Sequence, residues 1–355
     1  MNKTYRIKDI ANLSGVSTGT VDRILHHRGK VSPEAKEKVD KVLKEINYQP
    51  NLIARSLALK KKYNFIIVTP MFSEGEYWAK LAEGVDQAEQ ELFSYNITIQ
   101  HLYFSQYDNC SFDALIPIIE QANCQGVVLA TLFQDSVLKL TTRLDTQNIP
   151  YVLIDSYIDH TNCIAYYGTH SYNSGYIAGR LLFEQISKDE DIAVFRFIRK
   201  GCPSSAQVTK REEGFCDYLY NNNYQGRMHS VQIHGEGESE KENISLLKAF
   251  FETSTGIKAG IIFNSRAYLL GKYFEELNVR KDFKLIGYDV LEKNIEYLNG
   301  GLITHLIAQR PEVQGIHSVK ALFRHLILEK DNAPINYMPI DILVKENISY
   351  YNNYI

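Results

Sequence analysis

The stretch from residue 10 to residue 25, IANLSGVSTGTVDRIL, constrains the fold more than any other part of the chain. Ile10 and Leu13 give a short first helix an apolar face, Gly15 permits a tight turn, and Ser17 can cap a second helix. In the second helix the inward residues are Val21, Ile24 and Leu25, and the outward residues are Thr18, Gly19, Asp22 and Arg23. This pattern predicts a helix-turn-helix whose second helix reaches base edges in the major groove of DNA, with an ordinary helical hairpin as the alternative.

A third helix should give this pair a surface to pack on. Ser32 caps it and Pro33 occupies its first turn. Its apolar residues recur at helical spacing, at Val39, Val42, Leu43 and Ile46. Pro50 then marks its end, because the residue before a proline is pushed out of the α-helical region. The helix formers at 51–59 are too few to be stable alone in water, so we expect this segment to order only when it is held.

The charge of the first 62 residues differs from that of the rest of the chain. These residues contain 14 Lys and Arg and 6 Asp and Glu, a net charge of +8. The chain totals of 39 and 42 leave 25 and 36, a net charge of −11, for residues 63–355. A run of charge is often only a solvated face, but a compact basic unit at one end of an acidic chain is typical of phosphate binding. The charge therefore favours DNA binding over the helical hairpin.

Length, hydropathy and cysteine content limit the remaining classes. A chain of 355 residues exceeds the usual size of one core, which leaves room for two further lobes after the basic head. No apolar stretch approaches 18 residues and no signal-peptide core is present, so we predict a soluble, cytoplasmic protein with no membrane partner. The five cysteines are odd in number and lack a CxxC pair, so we predict neither a zinc site nor a disulfide framework. No cofactor is expected.

Beyond residue 62, apolar strands alternate with helical stretches. A helix is predicted at 77–92, with Leu81, Val85 and Ala88 on one face. Strands are predicted at 65–68, 97–102, 126–130, 151–154, 191–197, 260–263 and 284–288. Apolar strands separated by helices predict an α/β fold with doubly wound parallel sheets. Because ligands bind beyond the carboxyl ends of strands in such sheets, the residues after each strand are the candidates for a site.

Together these features resemble the LacI/GalR family of bacterial transcription regulators, whose body is similar to periplasmic sugar-binding proteins. The resemblance covers essentially the whole chain. The matching segments are 10–23, 31–33, 47–51 and 54–58 in the head, and 174–182, 211–215, 287–289 and 307–315 in the body. The resemblance implies a helix-turn-helix head at 1–50, a hinge helix and linker at 51–62, an N-terminal lobe at 63–168 plus 309–333, and a C-terminal lobe at 169–308 plus 334–355.

The family resemblance also implies a function. The chain is expected to be a transcriptional repressor that binds a pseudo-palindromic operator as a homodimer, with its affinity controlled by a small effector between the lobes and no enzymatic step. The DNA contacts that it implies are Thr18, Gly19, Thr20 and Arg23 in the recognition helix and Asn51, Ala54 and Leu57 in the hinge. An apolar wedge from the hinge would enter the minor groove and kink the DNA. Gly19 departs from the usual larger side chain, which removes a base contact and weakens the helix.

The same resemblance suggests a sugar or sugar derivative as the effector. Tyr77 and Trp78 occupy the place of an aromatic pair that encloses the sugar in related binding proteins, and the C–H face of a pyranose packs well on such rings. The polar partners that it implies are His170, Arg211, Asn264, Asp289 and Gln309. The plainer alternatives are core packing for the aromatic pair and hydrogen bonds within loops for the polar residues. His170 and Ser265 replace aspartates that are common in the family, which changes the hydroxyl pattern recognised.

Three other functions are alternatives to this one. An enzyme is not expected, because Walker A and HExxH motifs are absent and the GxG at 235–237 is isolated in an acidic loop. A stand-alone transport binding protein would need export and would not carry the basic head. A regulator of the same architecture with a purine or another flat metabolite as effector stays open, because aromatic rings and an Arg–Asp pair also suit a nucleobase.

Overall fold

The chain falls into two compact units, residues 1–58 and 59–355. The computed structural model describes residues 5–25, 29–46, 48, 62–198, 205–234, 240–254, 256–279 and 282–351. In the first unit the described helices are α1 (Ile7–Ser14), α2 (Thr18–Leu25) and α3 (Pro33–Glu45).

The ends of the head helices are fixed by residues that the sequence had indicated. Gly15 follows α1 with φ +67°, a left-handed conformation that glycine adopts without strain. Ser17 Oγ accepts a hydrogen bond from the Thr20 backbone N–H at 3.1 Å. Ser32 Oγ accepts one from the Ala35 backbone N–H at 3.3 Å. The predicted turn and both predicted caps are therefore confirmed.

The three head helices enclose a small apolar core, to which each helix contributes two buried hydrophobic residues: Ile10, Ala11, Val21, Ile24, Val39 and Val42. The prediction that Leu13 belongs to this face was wrong, since its side chain is 56% exposed. The buried face of α1 is centred between Ile10 and Ala11, and Leu13 lies about 100° around the helix from that direction.

The first sheet of the second unit is parallel throughout its described strands. Its strands, in the spatial order β11-β5-β4-β3-β1-β2, are β1 (Tyr63–Pro70), β2 (Ile97–Phe104), β3 (Gly126–Ala130), β4 (Tyr151–Ile154), β5 (Ala165–Gly168) and β11 (Ile335–Tyr337). The helices of this part of the chain are α4 (Tyr77–Leu92), α5 (Asn109–Asp113), α6 (Ile116–Gln121) and α7 (Gln134–Thr146), with a 3₁₀ turn at Phe93–Tyr95.

The second sheet is parallel except for one antiparallel edge pair among its described strands, β10 with β12. Its strands, in the order β12-β10-β9-β8-β6-β7, are β6 (Ile192–Ile198), β7 (Met228–His234), β8 (Ala259–Ile262), β9 (Lys284–Tyr288), β10 (His305–Ala308) and β12 (Asp341–Leu343). The helices that alternate with these strands are α8 (Ser171–Phe183), α9 (Ala206–Asn221), α10 (Glu240–Thr253), α11 (Ala267–Glu276) and α12 (Glu292–Asn299). The remaining helical elements among the described residues are α13 (Pro311–Leu326) and a 3₁₀ turn at Ile348–Tyr350.

Two sheets of mainly parallel strands confirm the predicted α/β fold. One detail differs from expectation, because the segment 334–355 does not belong wholly to the C-terminal lobe. Strand β11 pairs with β5 in the first sheet, whereas β12 pairs with β10 in the second. The backbone groups on the open side of β5 thereby gain partners that they would otherwise lack.

Close helix packing places the residues of the site. A Cβ atom on Gly175 of α8 would lie 1.8 Å from the backbone oxygen of Arg211 on α9, so only glycine allows the two helices to approach this closely. Gly84 of α4 has the same relation to Glu312 of α13, with 2.0 Å to its backbone oxygen. The α8–α9 contact therefore fixes the backbone from which the Arg211 side chain extends.

Candidate functional site

Polar residues from both sheets meet beyond the carboxyl ends of their strands. Asp155 follows β4 in the first sheet, while Asp289 and Gln309 follow β9 and β10 in the second. Both aspartates have positive φ angles, 81° for Asp155 and 69° for Asp289. Aspartate tolerates this left-handed region better than most residues, and such conformations are concentrated at functional sites. Asn294 holds the turn at Asp289 by donating Nδ2 hydrogen bonds to the backbone oxygens of Tyr288 and Asp289.

A chain of hydrogen bonds joins these residues across the two lobes. Gln309 Nε2 donates to Asp289 Oδ1 at 2.7 Å. Gln309 Oε1 accepts from Thr169 Oγ1 at 3.1 Å and from Gln207 Nε2 at 3.2 Å. Gln207 Nε2 also donates to Asp155 Oδ1 at 2.8 Å. Because Gln207 lies on α9 and Asp155 follows a strand of the first sheet, this chain spans the cleft between the sheets.

Arg211 is the most deeply buried charged residue of the site, with 1% of its surface exposed. Its Nη1 donates to the backbone oxygen of Phe263 at 2.8 Å, and its guanidinium carbon lies 4.0 Å from the centroid of the Tyr288 ring. Its Nε and Nη2 are buried and donate to no atom of the described residues. Since an unmade buried hydrogen bond of a charged group is costly, this arginine presents two donors that a ligand can satisfy.

Tyr77, at the first position of α4, belongs to the same cluster. Burial raises the pKa of its hydroxyl well above the ordinary value, the charges of Asp155 and Asp289 raise it further, and the charge of Arg211 opposes them. Its hydroxyl also donates a long hydrogen bond of 3.4 Å to Gln314 Oε1. The structure therefore brings Tyr77, Arg211, Asp289 and Gln309 into one cluster.

The side-chain carboxyl group of Asp289 has a raised pKa. Burial raises the pKa of its carboxyl to about 6, although the positive charge of Arg211 and the hydrogen bond from Gln309 lower it; the charge of Glu312 raises it. The side chain is 4% exposed. At neutral pH the carboxylate is therefore mainly charged, at a cost that the neighbouring donors offset only in part.

Trp78 packs in the core of the first lobe and is 8% exposed. Its ring lies edge-on to that of Tyr77, with 5.0 Å between centroids and 89° between planes. A ligand that moved Tyr77 would therefore change the surroundings of the indole ring.

His170 and Asn264 make contacts outside the hydrogen-bonded chain. His170 Nδ1 accepts from the Asn173 backbone N–H at 3.2 Å and so caps α8, and its ring lies 4.9 Å from that of Tyr337. Asn264 Oδ1 accepts from the Arg266 backbone N–H at 2.9 Å, which shapes the turn after β8. Neither residue joins the hydrogen-bonded chain, and contact of either one with an effector stays a prediction.

Two further residues form a second bridge between the lobes. Tyr107 lies after β2 in the first sheet, and Arg266 lies after β8 in the second. Arg266 Nη2 donates to the Tyr107 hydroxyl, and its guanidinium carbon is 5.5 Å from the centroid of the tyrosine ring. The cleft is therefore closed by polar contacts at more than one place.

Sequence reasoning missed Asp155, Gln207 and the Tyr107–Arg266 pair. Asp155 immediately follows the predicted strand at 151–154, so the strand-end rule had the means to find it. Gln207 lies in the first turn of a helix, where no local pattern distinguishes a glutamine that faces a cleft from one that faces solvent.

In the head, the recognition-helix residues lie on the surface. Thr18, Gly19 and Arg23 are exposed, and Thr20 is half-buried with its hydroxyl 2.9 Å from Ser17 Oγ. Arg23 folds back along α2, where its Nε donates to the backbone oxygen of Gly19 at 3.1 Å. The predicted hinge contacts, Asn51, Ala54 and Leu57, lie outside the described residues.

Within the described part of the chain, no group of three or more His, Cys, Asp or Glu side chains is arranged to hold a metal ion. Over the same residues, none of the helices has the length and apolar character needed to cross a bilayer. A cavity of about 470 Å³ lies away from the polar cluster, at the amino ends of β8 and β9, and residues such as Phe251, Ile257 and Phe283 line it. None of the candidate effector residues lines that cavity.

Comparison with known proteins matches both units to described families. Residues 6–51 match the family described as bacterial regulatory proteins, lacI family, and residues 65–330 match the periplasmic binding protein domain. The ribose operon repressor of Lactococcus lactis subsp. lactis (strain IL1403) is 24% identical over 345 residues, covering 96% of this chain and 97% of its own length. The HTH-type transcriptional repressor PurR of Serratia proteamaculans (strain 568) is 26% identical over 335 residues, covering 93% of this chain and 92% of its own.

Solved structures agree with these matches. A protein assigned as a LacI transcriptional regulator from Bacteroides fragilis is 37% identical with a TM-score of 0.77, over 82% of this chain and 100% of that chain. The glucose-galactose binding protein GanP of Geobacillus stearothermophilus is 21% identical with a TM-score of 0.68, over 81% of this chain and 99% of that chain. The similarity to GanP shows a shared fold only.

Proposed function

The chain belongs to the LacI family of bacterial regulatory proteins, and we propose that it is a transcriptional repressor whose affinity for operator DNA is controlled by a small carbohydrate bound between its two lobes. Relatives named as ribose operon and sucrose operon repressors support a carbohydrate effector. Relatives named PurR support the alternative that the effector is a purine. Since these relatives are repressors, we further propose that the chain catalyses no reaction and that it acts in the cytoplasm, where its DNA target lies.

The effector proposal rests mainly on the two buried donors of the Arg211 guanidinium group that have no acceptor among the described residues. Its Nε and Nη2 have no hydrogen-bond acceptor among the described residues. The oxygen atoms of a ligand bound in the cleft beside Asp289 and Gln309 would accept hydrogen bonds from them. A hydroxyl can accept from the guanidinium and donate to a carboxylate, which suits a sugar. Tyr77, backed by Trp78, would supply the apolar wall, and His170 and Asn264 are proposed as outer contacts.

The head would dock as one half of a symmetric dimer. Thr18, Gly19, Thr20 and Arg23 are the proposed contacts of α2 with the major groove, and Asn51, Ala54 and Leu57 are those of the hinge with the centre of the operator. One recognition helix reads only a few base pairs, so two-fold symmetry doubles the information in a pseudo-palindromic site. The proposed division remains a head at 1–50, a hinge at 51–62 and two lobes from 63 onward.

Calorimetry on the full chain tests the effector proposal. Neutral aldoses, including ribose, arabinose, glucose and galactose, and purine bases are each titrated into the protein, and one aldose is expected to bind with one site per chain. Arg211→Ala should remove this binding, whereas Arg180→Ala, which deletes an arginine exposed on α8 and paired with Glu184, should not. Binding of a purine base in place of any sugar would assign the alternative effector.

Fluorescence gives an independent reading, because Trp78 is the single tryptophan of the chain. Binding should change its emission through Tyr77. Trp78→Phe should abolish the signal yet keep operator binding; an alanine is avoided because truncating a buried tryptophan costs about 3–5 kcal/mol. Unchanged emission during calorimetrically measured binding would place the ligand away from Tyr77.

A further inference from the structure

The side chain of Arg23 follows a defined path along the recognition helix α2. Its Nε donates a hydrogen bond to the backbone oxygen of Gly19 at 3.1 Å, so the side chain turns back by one helical turn towards the amino end of α2. Arg23 and Gly19 are both exposed, and they share one face of the helix because they are four residues apart. The guanidinium group therefore lies beside Gly19, in the part of α2 that a recognition helix presents to base edges.

No side chain at residue 19 competes with the guanidinium group for this place. A Cβ atom on Gly19 would lie 3.9 Å from Nη2 of Arg23 and 3.9 Å from Oγ of Ser17, which is ordinary van der Waals contact. An added methyl group would therefore only touch the guanidinium group, whereas the further atoms of a longer side chain would compete with it for the same space. Glycine is a poor helix former, so this residue lowers the stability of α2 and offers no side-chain contact in return.

The donors that Arg23 has left suit one particular base. The hydrogen bond to Gly19 uses Nε–H, and the structure shows no acceptor for the hydrogens on Nη1 and Nη2 among the described residues. These two nitrogens form a planar fork that matches O6 and N7 of guanine, the base that offers two acceptors in the major groove. Because the Nε bond already holds the side chain, less rotational freedom is lost when the fork binds.

This further inference rests on the proposed contact of Arg23 with the operator. We infer that Gly19 is a positioning residue for Arg23: because residue 19 has no side chain, the guanidinium group occupies its place and reads a guanine in the base pair that faces residue 19. Residue 19 thus determines operator specificity through Arg23. Each half-site should contain one G·C pair whose recognition depends on both residues.

Base replacement in the operator tests this coupling with the full-length protein. The operator is first selected from a library of random-sequence DNA duplexes, and each base pair is then replaced in turn in both half-sites. The Kd of each duplex is measured by fluorescence anisotropy for the wild type and for Arg23→Lys, which keeps the charge and loses the fork. The wild type should prefer one G·C pair at least about tenfold over its replacements, and Arg23→Lys should prefer it less than about threefold.

Two substitutions at residue 19 decide the inference. Gly19→Gln places a long side chain beside the guanidinium group and should lower the preference for this same G·C pair at least about fivefold. Gly19→Ala adds one methyl group at contact distance and should lower the preference less. Both substitutions favour the helix, and a general loss of folded head does not change the ratio of two Kd values. If Gly19→Gln keeps the wild-type preference, or Gly19→Ala lowers it equally, the inference is wrong.

These outcomes are distinct from failure of the proposed function. If no sequence is enriched from the library, sequence-specific binding itself fails. If Arg23→Lys has the same base preferences as the wild type, the proposed contact of Arg23 with a base fails. If Arg23→Lys loses the preference while Gly19→Gln keeps it, Arg23 remains a base contact and only the role of Gly19 falls.

Discussion

Gln207 on α9 donates a hydrogen bond to the Asp155 carboxylate, which follows β4 of the other sheet, at 2.8 Å. This contact holds the two lobes in the arrangement that places Arg211 close to the Tyr77 hydroxyl. A hydrogen bond to a charged group contributes roughly 1.5–3 kcal/mol. Gln207→Ala should therefore weaken effector binding about 10-fold or more by calorimetry, and it should also lower the melting temperature, because a buried carboxylate loses a donor. Full effector affinity in this variant would show that the bridge has no part in binding.

The buried carboxyl of Asp289 should make stability depend on pH in a defined direction. Its pKa in the folded chain, about 6, lies above its ordinary value of 3.8, so the folded state binds the proton more tightly than the unfolded state. Stability from this group is present below pH 3.8 and is lost as the pH rises through about 6, an effect on the order of 3 kcal/mol at neutral pH.

Asp289→Asn removes this titration. Urea unfolding should find the variant more stable than the wild type at pH 7.5, with the difference shrinking towards pH 4. A difference that is the same at both pH values would mean that the carboxyl does not titrate in this range.

The close approach of α8 and α9 can be tested at one glycine. A methyl group at Gly175 would meet the backbone oxygen of Arg211, so Gly175→Ala should force the helices apart, cost about 1–3 kcal/mol and weaken effector binding by moving Arg211. Gly256→Ala is the matched control, because no atom lies within 4 Å of the added Cβ. Thermal unfolding and calorimetry of both variants provide the comparison, and equal behaviour would contradict the packing account.

Arg23 should distinguish operator from random DNA. If its guanidinium contacts a base edge, Arg23→Ala will weaken operator binding by about 1–3 kcal/mol and affect random DNA much less. Lys38→Ala, which removes one positive charge from the surface of α3, serves as the control for a general loss of charge. Equal losses on both DNAs in a gel-shift titration would make Arg23 a phosphate contact.

Much of the fold could be predicted because helix caps, turn residues and apolar strands can each be recognised within a short stretch of sequence. Gly15, Ser17, Ser32 and Pro33 each act on their own turn of backbone, and β3, β4 and β9 are apolar runs with clear ends. Among the strands that were not predicted, β5, β10, β11 and β12 are three or four residues long, and β7 has seven residues but only two buried side chains. These strands exist because neighbouring strands pair with them. Their pairing is a tertiary property that a short window does not contain.

The site was predictable where a residue follows a strand and less so elsewhere. Asp289 and Gln309 follow β9 and β10, and the structure joins them directly. His170 also has a favourable position, yet its ring nitrogen caps a helix and its ring packs on Tyr337. Gln207 shows the opposite case, since its reach to Asp155 depends on how α9 packs against α8.

The central claim is that a ligand on Arg211 controls affinity for DNA. The most direct measurement is the operator Kd of the full-length protein with and without a saturating concentration of the sugar that binds, in wild type and in Arg211→Ala. The account predicts a change of about 5- to 150-fold in the wild type, the same factor in sugar affinity when operator is bound, and no change in the variant. An operator Kd that is equal with and without bound sugar, or that shifts equally in Arg211→Ala, would contradict it.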